Sequence, residues 1–340
     1  SASSTTLAEH LGLGYEPTGT MTGTMTVTDT DATDIVTASV TGVVQAGQTA
    51  GMPAETAAKL SSMLTVDTGP VIDGTHTSGT VNWTFNPQGQ AFDYLATGES
   101  LTLTYTVKVT DDSGIANNSG TQTVTVTITG GNDTPVIAVN TGDVDNYTFN
   151  EADAALSTSG TLTVTDADLT DKVTTLAIDH VTTSVTTGAA LPAAFSDEVL
   201  RSMLTLGGGD NSDASAGTNG NITWNFSSSV TGLDASQQNF DFLGDGESVT
   251  LTYYVKATDD SGITAGTSAD DTGASGLRAV TITINGTNDA PVIASASSTT
   301  LAEHLGLGYE PTGSMTGTMT VTDTDVTDIV TAAVTGVVQA

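Results

Sequence analysis

Threonine alternates with apolar residues along several stretches of this chain, and a period of two is typical of β-strands with one buried face. The alternation is strict at residues 101–110 and 124–129, and it recurs with one interruption across 251–256 and 280–284. Successive side chains of a strand point to opposite faces, so Leu, Tyr and Val share one face while Thr and Lys occupy the other. Sheets with one wet face are typical of antiparallel sandwiches and barrels.

Internal repetition divides the chain into units. Residues 295–340 repeat residues 1–46 with three differences, Thr20/Ser314, Ala32/Val326 and Ser39/Ala333. The related strings Gly-Asn-Asp-Thr-Pro-Val-Ile and Thr-Asn-Asp-Ala-Pro-Val-Ile, at 131–137 and 287–293, each precede a fresh copy of similar sequence. Such periodicity indicates a tandem array. We therefore predict a short-type domain at 1–138, a long-type domain at 139–294 and the truncated start of a third domain at 295–340. The chain is accordingly expected to be a fragment of a longer protein.

Both complete units carry the same landmarks in the same order. A helix-like stretch spans 53–64 in the first unit and 192–204 in the second, and a strand marked by Trp83 or Trp224 follows. We expect both tryptophans to anchor cores. Strands of this length with Gly, Asn and Asp turns, in units near 140 residues, fit an immunoglobulin-like sandwich. The prediction is an all-β chain of tandem antiparallel β-sandwiches with one short helix per domain.

The charge balance excludes several classes of partner. Acidic residues outnumber basic ones 39 to 6, which gives a formal charge of −33. Nucleic acid and anionic membranes are therefore not expected partners. The chain has no cysteine, so disulfides and thiolate metal sites are excluded. No apolar run approaches the roughly 18 residues of a membrane-spanning helix, so no membrane insertion is expected.

Catalysis is not predicted. The four histidines form no His-x-x-x-His pair, and no nucleophile or phosphate-binding motif is present. Lys108 and Lys256 lie at outward-facing strand positions, unlike the buried lysine that an intramolecular isopeptide bond needs. The abundant Thr-x-Thr pattern is typical of an ice-binding face, but β-branched threonine also suits the solvent side of any strand, and we favour the latter interpretation.

The acids at the unit boundaries predict a calcium site. Linker Asp133 precedes the pair Asp166 and Asp168 by 33 and 35 residues, enough to run along one strand of the next domain and back. Alternation places Asp166 and Asp168 on the same side of the chain. Without a cation, each carboxylate pair 4 Å apart would cost about 4 kcal/mol at an effective dielectric of 20. No lysine or arginine lies in these motifs, and Ca²⁺ takes six to eight oxygen ligands of this kind.

Four motifs carry a family resemblance. Thr-Val-Thr-Asp-x-Asp, Gly-Glu-Ser-Leu-Thr-Leu-Thr-Tyr-Thr-Val, Thr-Asp-Asp-Ser-Gly and Gly-Thr-Asn-Asp-Ala-Pro together resemble the VCBS repeat, a bacterial cadherin-like or immunoglobulin-like module of very large surface adhesins. The resemblance covers essentially the whole chain. It implies export by type I secretion, a bacterial cell-surface location and a part in biofilm formation and attachment.

The layout is also similar to that of cadherins, in which calcium sits between successive domains. For the first junction this resemblance implies the ligands Glu9, Glu99, Asn132, Asp133, Asp166, Asp168 and Asp259. For the second junction it implies Glu151, Glu247, Asn288, Asp289, Asp323 and Asp325, while Asp29, Asp31 and Asp111 would face a preceding linker. The cadherin Asp-Arg-Glu motif appears only as Gly98-Glu99 and Gly246-Glu247, so one calcium position is expected to be weaker or filled differently.

We predict a non-catalytic, calcium-stiffened spacer of an adhesin, with up to three ions at each junction and with neighbouring repeats as partners. The first alternative keeps the fold but makes the chain a subunit of a self-assembling extracellular filament or sheath, with identical chains as partners. The second is a carbohydrate-binding module that uses the longer loops near 227–239 or 264–277.

Overall fold

The computed structural model describes residues 3–8, 19–116, 118–186, 190–208, 220–261, 273–300 and 314–338. Among these residues the strands are β1 (Ser3–Ala8), β2 (Met21–Thr28), β3 (Ile35–Gly47), β4 (Leu64–Val66), β5 (Pro70–Asp73), β6 (Ser78–Phe85), β7 (Ser100–Asp111), β8 (Ser119–Thr129), β9 (Val136–Ala138), β10 (Asn146–Asn150), β11 (Ser157–Thr165), β12 (Val173–Val185), β13 (Leu204–Gly208), β14 (Gly220–Ser227), β15 (Ser248–Asp259), β16 (Arg278–Asn285), β17 (Val292–Ala296) and β18 (Met319–Thr322). The helices are α1 (Ala54–Met63), α2 (Asp197–Ser202) and α3 (Ala235–Asn239).

The first eight strands form one sandwich. One sheet has the order β1-β8-β7-β3-β5, and the facing sheet has the order β2-β6-β4. Its strands pair antiparallel except that β1 runs parallel to β8. The apolar face of this sandwich encloses a core that includes Trp83, Phe85 and Tyr105.

The second sandwich repeats this plan. Its sheets have the orders β10-β16-β15-β12 and β13-β14-β11-β9, and β10 runs parallel to β16. A separate core surrounds Trp224 and Tyr253. Strands β17 and β18 pair antiparallel beyond the second sandwich.

The all-β sandwich fold predicted from alternation is confirmed. Along β7 the leucine, tyrosine and valine positions from Leu101 to Val107 are buried, whereas the intervening threonines are half-buried. Both tryptophans lie in the cores as expected, with exposed fractions of 2% for Trp83 and 0% for Trp224.

Helix α1 nearly matches the predicted stretch, whereas the helices of the second sandwich differ from the prediction. In the first sandwich α1 occupies nearly all of the predicted range, but α2 begins only at Asp197, where the Ser196 side chain accepts a hydrogen bond from Val199 N–H. The second sandwich also contains α3, which Asp234 caps together with Gln237 in a capping box. This helix is too short for apolar periodicity to reveal.

A glycine opposite each tryptophan explains how the large indole fits. Gly23 pairs with Trp83, and Gly160 pairs with Trp224. A Cβ atom at either glycine would overlap the indole ring. The two sandwiches therefore use the same glycine–tryptophan packing.

Candidate metal centre at the domain junctions

The linker at the first junction is buried. Asn132 is 1% exposed and Asp133 is 5% exposed. The Asn132 Nδ2 group donates to the Asp133 carbonyl at 2.9 Å and contacts Asp259 Oδ2 at 3.4 Å. Asp133 N–H donates to Asp168 Oδ2 at 2.7 Å. The linker is thus bonded to two acids of the second sandwich.

Asp166 and Asp168 lie in a turn directly after β11, not within the strand as alternation suggested. Asp168 N–H donates to Asp166 Oδ1 at 3.1 Å, which folds the Asp-x-Asp segment back on itself. The same turn occurs in the other two copies. Asp31 N–H donates to Asp29 Oδ1 at 3.0 Å, and Asp325 N–H donates to Asp323 Oδ1 at 3.2 Å. The local motif therefore sets the turn in all three copies.

Several carboxylate oxygens here are buried without a hydrogen-bond donor among the described residues. They include Asp166 Oδ2, Asp168 Oδ1 and Asp171 Oδ2. Burial raises the pKa of Asp168 to about 9, and the neighbouring charges of Asp133 and Asp166 act in the same direction. Burial raises the pKa of Asp166 to about 7, and the negative charge of Asp259 acts in the same direction. Such oxygens are destabilising unless a cation or a proton satisfies them.

Asp171 is a site residue that the sequence analysis missed. Burial raises its pKa to about 6, and the charges of Asp259 and Glu99 contribute, so Asp171 lies near acids from both sandwiches. Its backbone N–H donates to the Asp168 carbonyl at 3.2 Å, and the equivalent bonds occur at Asp34 and Asp328. The repeated spacing Asp-x-Asp-x-x-Asp is the signal that marks it.

The remaining predicted acids of the first junction lie around this cluster. Glu99 is half-buried and accepts hydrogen bonds from Ala96 N–H at 3.2 Å and from Gln48 Nε2 at 3.4 Å. Asp259 is 5% exposed, and its Oδ1 accepts from Ser261 N–H at 2.9 Å. Glu9 lies outside the described residues, so its predicted place is not addressed by the structure.

An apolar contact closes the first junction beside the acids. Leu169, between Asp168 and Asp171, packs against the core of the first sandwich. Its N–H lies 3.4 Å from the Tyr94 carbonyl, and its side chain also borders Gly51. The Asp-x-Asp loop thus contributes both carboxylates and a hydrophobic anchor.

The second junction repeats the linker contacts of the first. Asn288 Nδ2 donates to the Asp289 carbonyl at 2.9 Å, and Asp289 N–H donates to Asp325 Oδ2 at 2.8 Å. Asp325 is 2% exposed, whereas Asn288 is exposed, unlike its counterpart Asn132. Asp323 is half-buried. Glu247 Oε1 accepts from Thr327 Oγ1 of the following repeat at 3.0 Å.

Glu151, Asp241 and Asp289 form a compact carboxylate cluster at this junction, with one oxygen of each within 4.8 Å of the others. Glu151 is 5% exposed and binds the linker through Thr287 N–H at 3.2 Å. Burial raises its pKa to about 7, and Asp289 contributes. Burial also raises the pKa of Asp241, whose Oδ1 is buried without a partner among the described residues.

Asp241 is a second cluster residue that the sequence analysis did not predict. It belongs to the Phe-Asp-Phe-Leu string, and Asp93 holds the same position in Phe-Asp-Tyr-Leu of the first unit. Asp93 lies as many residues before Gly98-Glu99 as Asp241 lies before Gly246-Glu247. The recurrence of this string in both units is the signal that sequence reasoning could have used.

A third cluster lies at the outer end of the first sandwich. One oxygen each of Asp29, Asp34 and Asp111 lies within 4.8 Å of the others, and all three residues are half-buried. Asp31 is exposed and lies outside this cluster. Burial, followed by the charge of Asp111, raises the pKa of Asp34. Of the predicted residues, Asp29 and Asp111 are therefore brought together, and Asp34 joins them in place of Asp31.

Basic side chains do not neutralise these clusters in the parts of the chain that the structure describes. Among the described residues, the ion pairs join Arg201 to Asp197 and Arg278 to Asp145, and two histidine–aspartate contacts lie elsewhere. The donor set at each junction is purely oxygen, which suits a hard divalent cation such as Ca²⁺.

Comparison with known proteins does not assign the chain to a family. No protein-family model matches the chain, and no curated protein sequence matches it significantly. Similar solved structures include the protocadherin gammaB7 EC3-6 cis-dimer, with 13% identity, a TM-score of 0.35 and coverage of 86% of this chain and 48% of that one. Mouse protocadherin-24 EC1-3 has 15% identity, a TM-score of 0.30 and coverage of 84% and 68%. The chain thus spans about half the length of the protocadherin gammaB7 fragment.

A third match, mouse cadherin-23 EC22-24, has 12% identity, a TM-score of 0.28 and coverage of 86% of this chain and 66% of that one. These scores are too low to assign the chain to a family, so the VCBS resemblance stays a prediction. Within the described residues, the helices are too short or too polar to cross a membrane.

Proposed function

We propose that this chain is a calcium-rigidified, non-catalytic extender segment of a large bacterial cell-surface adhesin, acting outside the cell in adhesion and biofilm formation. The observation that carries the proposal is the set of buried carboxylate oxygens near the linkers that have no hydrogen-bond partner among the described residues. Asp166, Asp168 and Asp171 supply them at the first junction, and Asp241 and Asp325 supply them at the second.

Calcium is the ion that this donor set favours. Carboxylate and amide oxygens from several separate segments lie near each linker, and Ca²⁺ accepts irregular sets of six to eight oxygens. At the first junction the ligands would come from Glu99, the Asn132-Asp133 linker, the Asp-x-Asp-x-x-Asp turn and Asp259. At the second they would come from Glu151, Asp241, Glu247, the Asn288-Asp289 linker and the turn at 323–328.

Shared ligands would stiffen the chain because each ion contacts the linker and both neighbouring sandwiches. Without ions, the acids repel one another across the joint, and burial opposes their ionisation. Extracellular calcium modules bind at roughly 10⁻⁴–10⁻³ M, so such sites would fill outside a cell and stay largely empty in cytosol.

Chelation is the direct test. Addition of EDTA should lower the thermal midpoint and reduce the maximum dimension measured by small-angle X-ray scattering, since the linkers would lose the ions that hold them. Returning excess calcium should reverse both changes. Scattering curves that superimpose in EDTA and in calcium would overturn the proposal.

A matched pair of variants locates the effect. Asp166→Asn with Asp168→Asn should abolish calcium protection against limited proteolysis near Asn132 while leaving protection near Asn288 intact. Asp179→Asn, which changes an exposed acid of β12, should leave both linkers protected. Equal loss of protection at both linkers in the double variant would indicate general unfolding and contradict a local ion site.

A further inference from the structure

The Asp-x-Asp-x-x-Asp turn at 166–171 also carries an apolar side chain, Leu169, that touches the other sandwich. Leu169 follows β11 of the second sandwich along the chain, yet it packs against the core cluster of the first sandwich. Its N–H lies 3.4 Å from the carbonyl of Tyr94, a core residue of the first sandwich. The turn is therefore held to its neighbour by a contact that involves no carboxylate.

The seat of Leu169 is formed by Tyr94 and by the loop between β3 and α1. Gly51 in this loop has a φ of 81°, a left-handed conformation that glycine adopts without strain. A Cβ atom at Gly51 would lie 2.7 Å from Leu169 Cδ2 and 3.4 Å from Tyr94 Cβ. Because Gly51 has no side chain, Leu169 can approach the loop backbone closely.

The same loop is bonded to an acid of the candidate metal centre. Gln48 N–H donates to the Ser100 carbonyl at 2.9 Å, and Gln48 Nε2 donates to Glu99 Oε1 at 3.4 Å. The Tyr94 hydroxyl donates to the Gln48 carbonyl at 3.4 Å. Leu169 and Glu99 therefore contact one bonded unit of the first sandwich. Seating of Leu169 thus positions the acids of the turn relative to Glu99.

The position of Leu169 holds a different apolar residue in each copy of the turn. The copies read Asp-Thr-Asp-Ala-Thr-Asp at 29–34, Asp-Ala-Asp-Leu-Thr-Asp at 166–171 and Asp-Thr-Asp-Val-Thr-Asp at 323–328. The three acids are the same in every copy, whereas Ala32, Leu169 and Val326 differ in size. Since apolar burial stabilises a contact in proportion to the area removed from water, the first junction carries the side chain with the most to gain.

We propose that Leu169 is an apolar latch, which holds the first junction closed against Gly51 and Tyr94 without calcium and prepares the linker to bind the ions. An apolar contact needs no charge, so it persists after chelation and opposes the repulsion between the carboxylates. A site whose binding-competent state is already populated has a higher apparent affinity. The gain in calcium affinity rests on the proposed calcium sites, whereas the latch itself does not.

Distances between spin labels on the two sandwiches measure the latch in the full chain. The chain has no cysteine, so Val44→Cys on β3 and Thr182→Cys on β12 give one exposed labelling site on each sandwich. Double electron–electron resonance in EDTA should show a dominant closed distance. Leu169→Ala should lower the ratio of closed to open joints roughly tenfold, because it removes most of the apolar contact. Leu169→Val should give an intermediate ratio.

Leu206→Ala is the matched control. It shortens another half-buried leucine, but one that packs against the core of the second sandwich. It should leave the distance distribution in EDTA unchanged even where it lowers the thermal midpoint. If the parent and Leu169→Ala give the same distribution in EDTA, whether narrow or broad, the latch is overturned.

Calcium titration of the same labelled proteins tests the preparation of the linker. The calcium concentration that closes half of the joints should be roughly tenfold higher in Leu169→Ala than in the parent, because the competent fraction is smaller. An equal midpoint in the two proteins would overturn this part of the inference. Distances that do not respond to calcium in either protein would contradict the calcium proposal, while the comparison in EDTA still decides the latch.

Discussion

The junction acids differ from the surface acids in the partners of each oxygen atom. Asp197 accepts a hydrogen bond from Arg201 at 2.8 Å and is largely exposed. Asp168 is 1% exposed, with one oxygen bonded to Asp133 N–H and the other without a donor among the described residues. The surface acid is stable in water as it stands, whereas the buried acid needs a cation or a proton.

Replacement of Asp241 tests the ligand set at the residue scale. Asp241→Asn removes one charge from the cluster with Glu151 and Asp289, so calcium affinity at the second junction should fall roughly tenfold or more. The same change should raise the thermal midpoint in EDTA, because it relieves repulsion between buried carboxylates. Isothermal titration calorimetry and thermal melts measure the two effects.

Asp179→Asn is the control for this variant, because it removes the same charge from an exposed strand position. It should change neither calcium affinity nor the midpoint in EDTA by a comparable amount. A loss of calcium affinity in Asp179→Asn equal to that in Asp241→Asn would contradict a specific ligand role.

The site residues that the sequence predicted stand in different motifs from those that it missed. Asn132, Asp133 and Asp168 stand in motifs that repeat at the domain boundaries, and the structure brings them together. Asp171 and Asp241 also repeat between units, but they lie outside the motifs that the family resemblance covers. Their proximity to the linker depends on how loops return to one end of the sandwich, which spacing along the chain does not specify.

At the level of elements, alternation predicts strands well because it reports directly which side chains face a core. Strand β7 shows this, since its buried positions follow the period of two. The helices are harder to predict, as α3 has only five residues and depends on the Asp234 cap. The parallel pairing of β1 with β8 is also invisible in the sequence, because pattern within a strand carries no information about its neighbours.

The glycine–tryptophan pair gives a prediction at this scale. Gly160→Ala should destabilise the second sandwich by about 1–3 kcal/mol, since the new methyl group overlaps the Trp224 ring in a close-packed core. Gly207→Ala in β13 is the control, because no atom lies within 4 Å of a Cβ at that position. Denaturant unfolding of both variants measures the difference. Equal stability of the two variants would show that the core repacks without cost.

At the scale of the whole molecule, the raised pKa values predict how stability depends on pH. The folded chain holds protons on Asp166, Asp168 and Glu151 more tightly than the unfolded chain does, with pKa values of about 7, about 9 and about 7. In EDTA, stability should therefore fall as pH rises from about 4 to about 9. The lowered pKa values of Asp143 and Asp145 act below this window.

Thermal melts across this pH range, with EDTA and with excess calcium, check the prediction. Calcium binds the ionised carboxylates, so it should weaken or reverse the fall. A midpoint in EDTA that rises steadily from pH 5 to pH 9 would contradict the burial of these acids.

The parallel pairing of β10 with β16 has a mechanical consequence. Strand β10 follows the short strand β9 after one linker, β16 ends just before the next linker, and the five paired positions of β10 and β16 run in the same direction. Tension along the chain therefore pulls the start of β10 and the end of β16 away from each other, parallel to the strands. Their hydrogen bonds are loaded in shear and share the force, so the module resists extension as a unit instead of unzipping bond by bond.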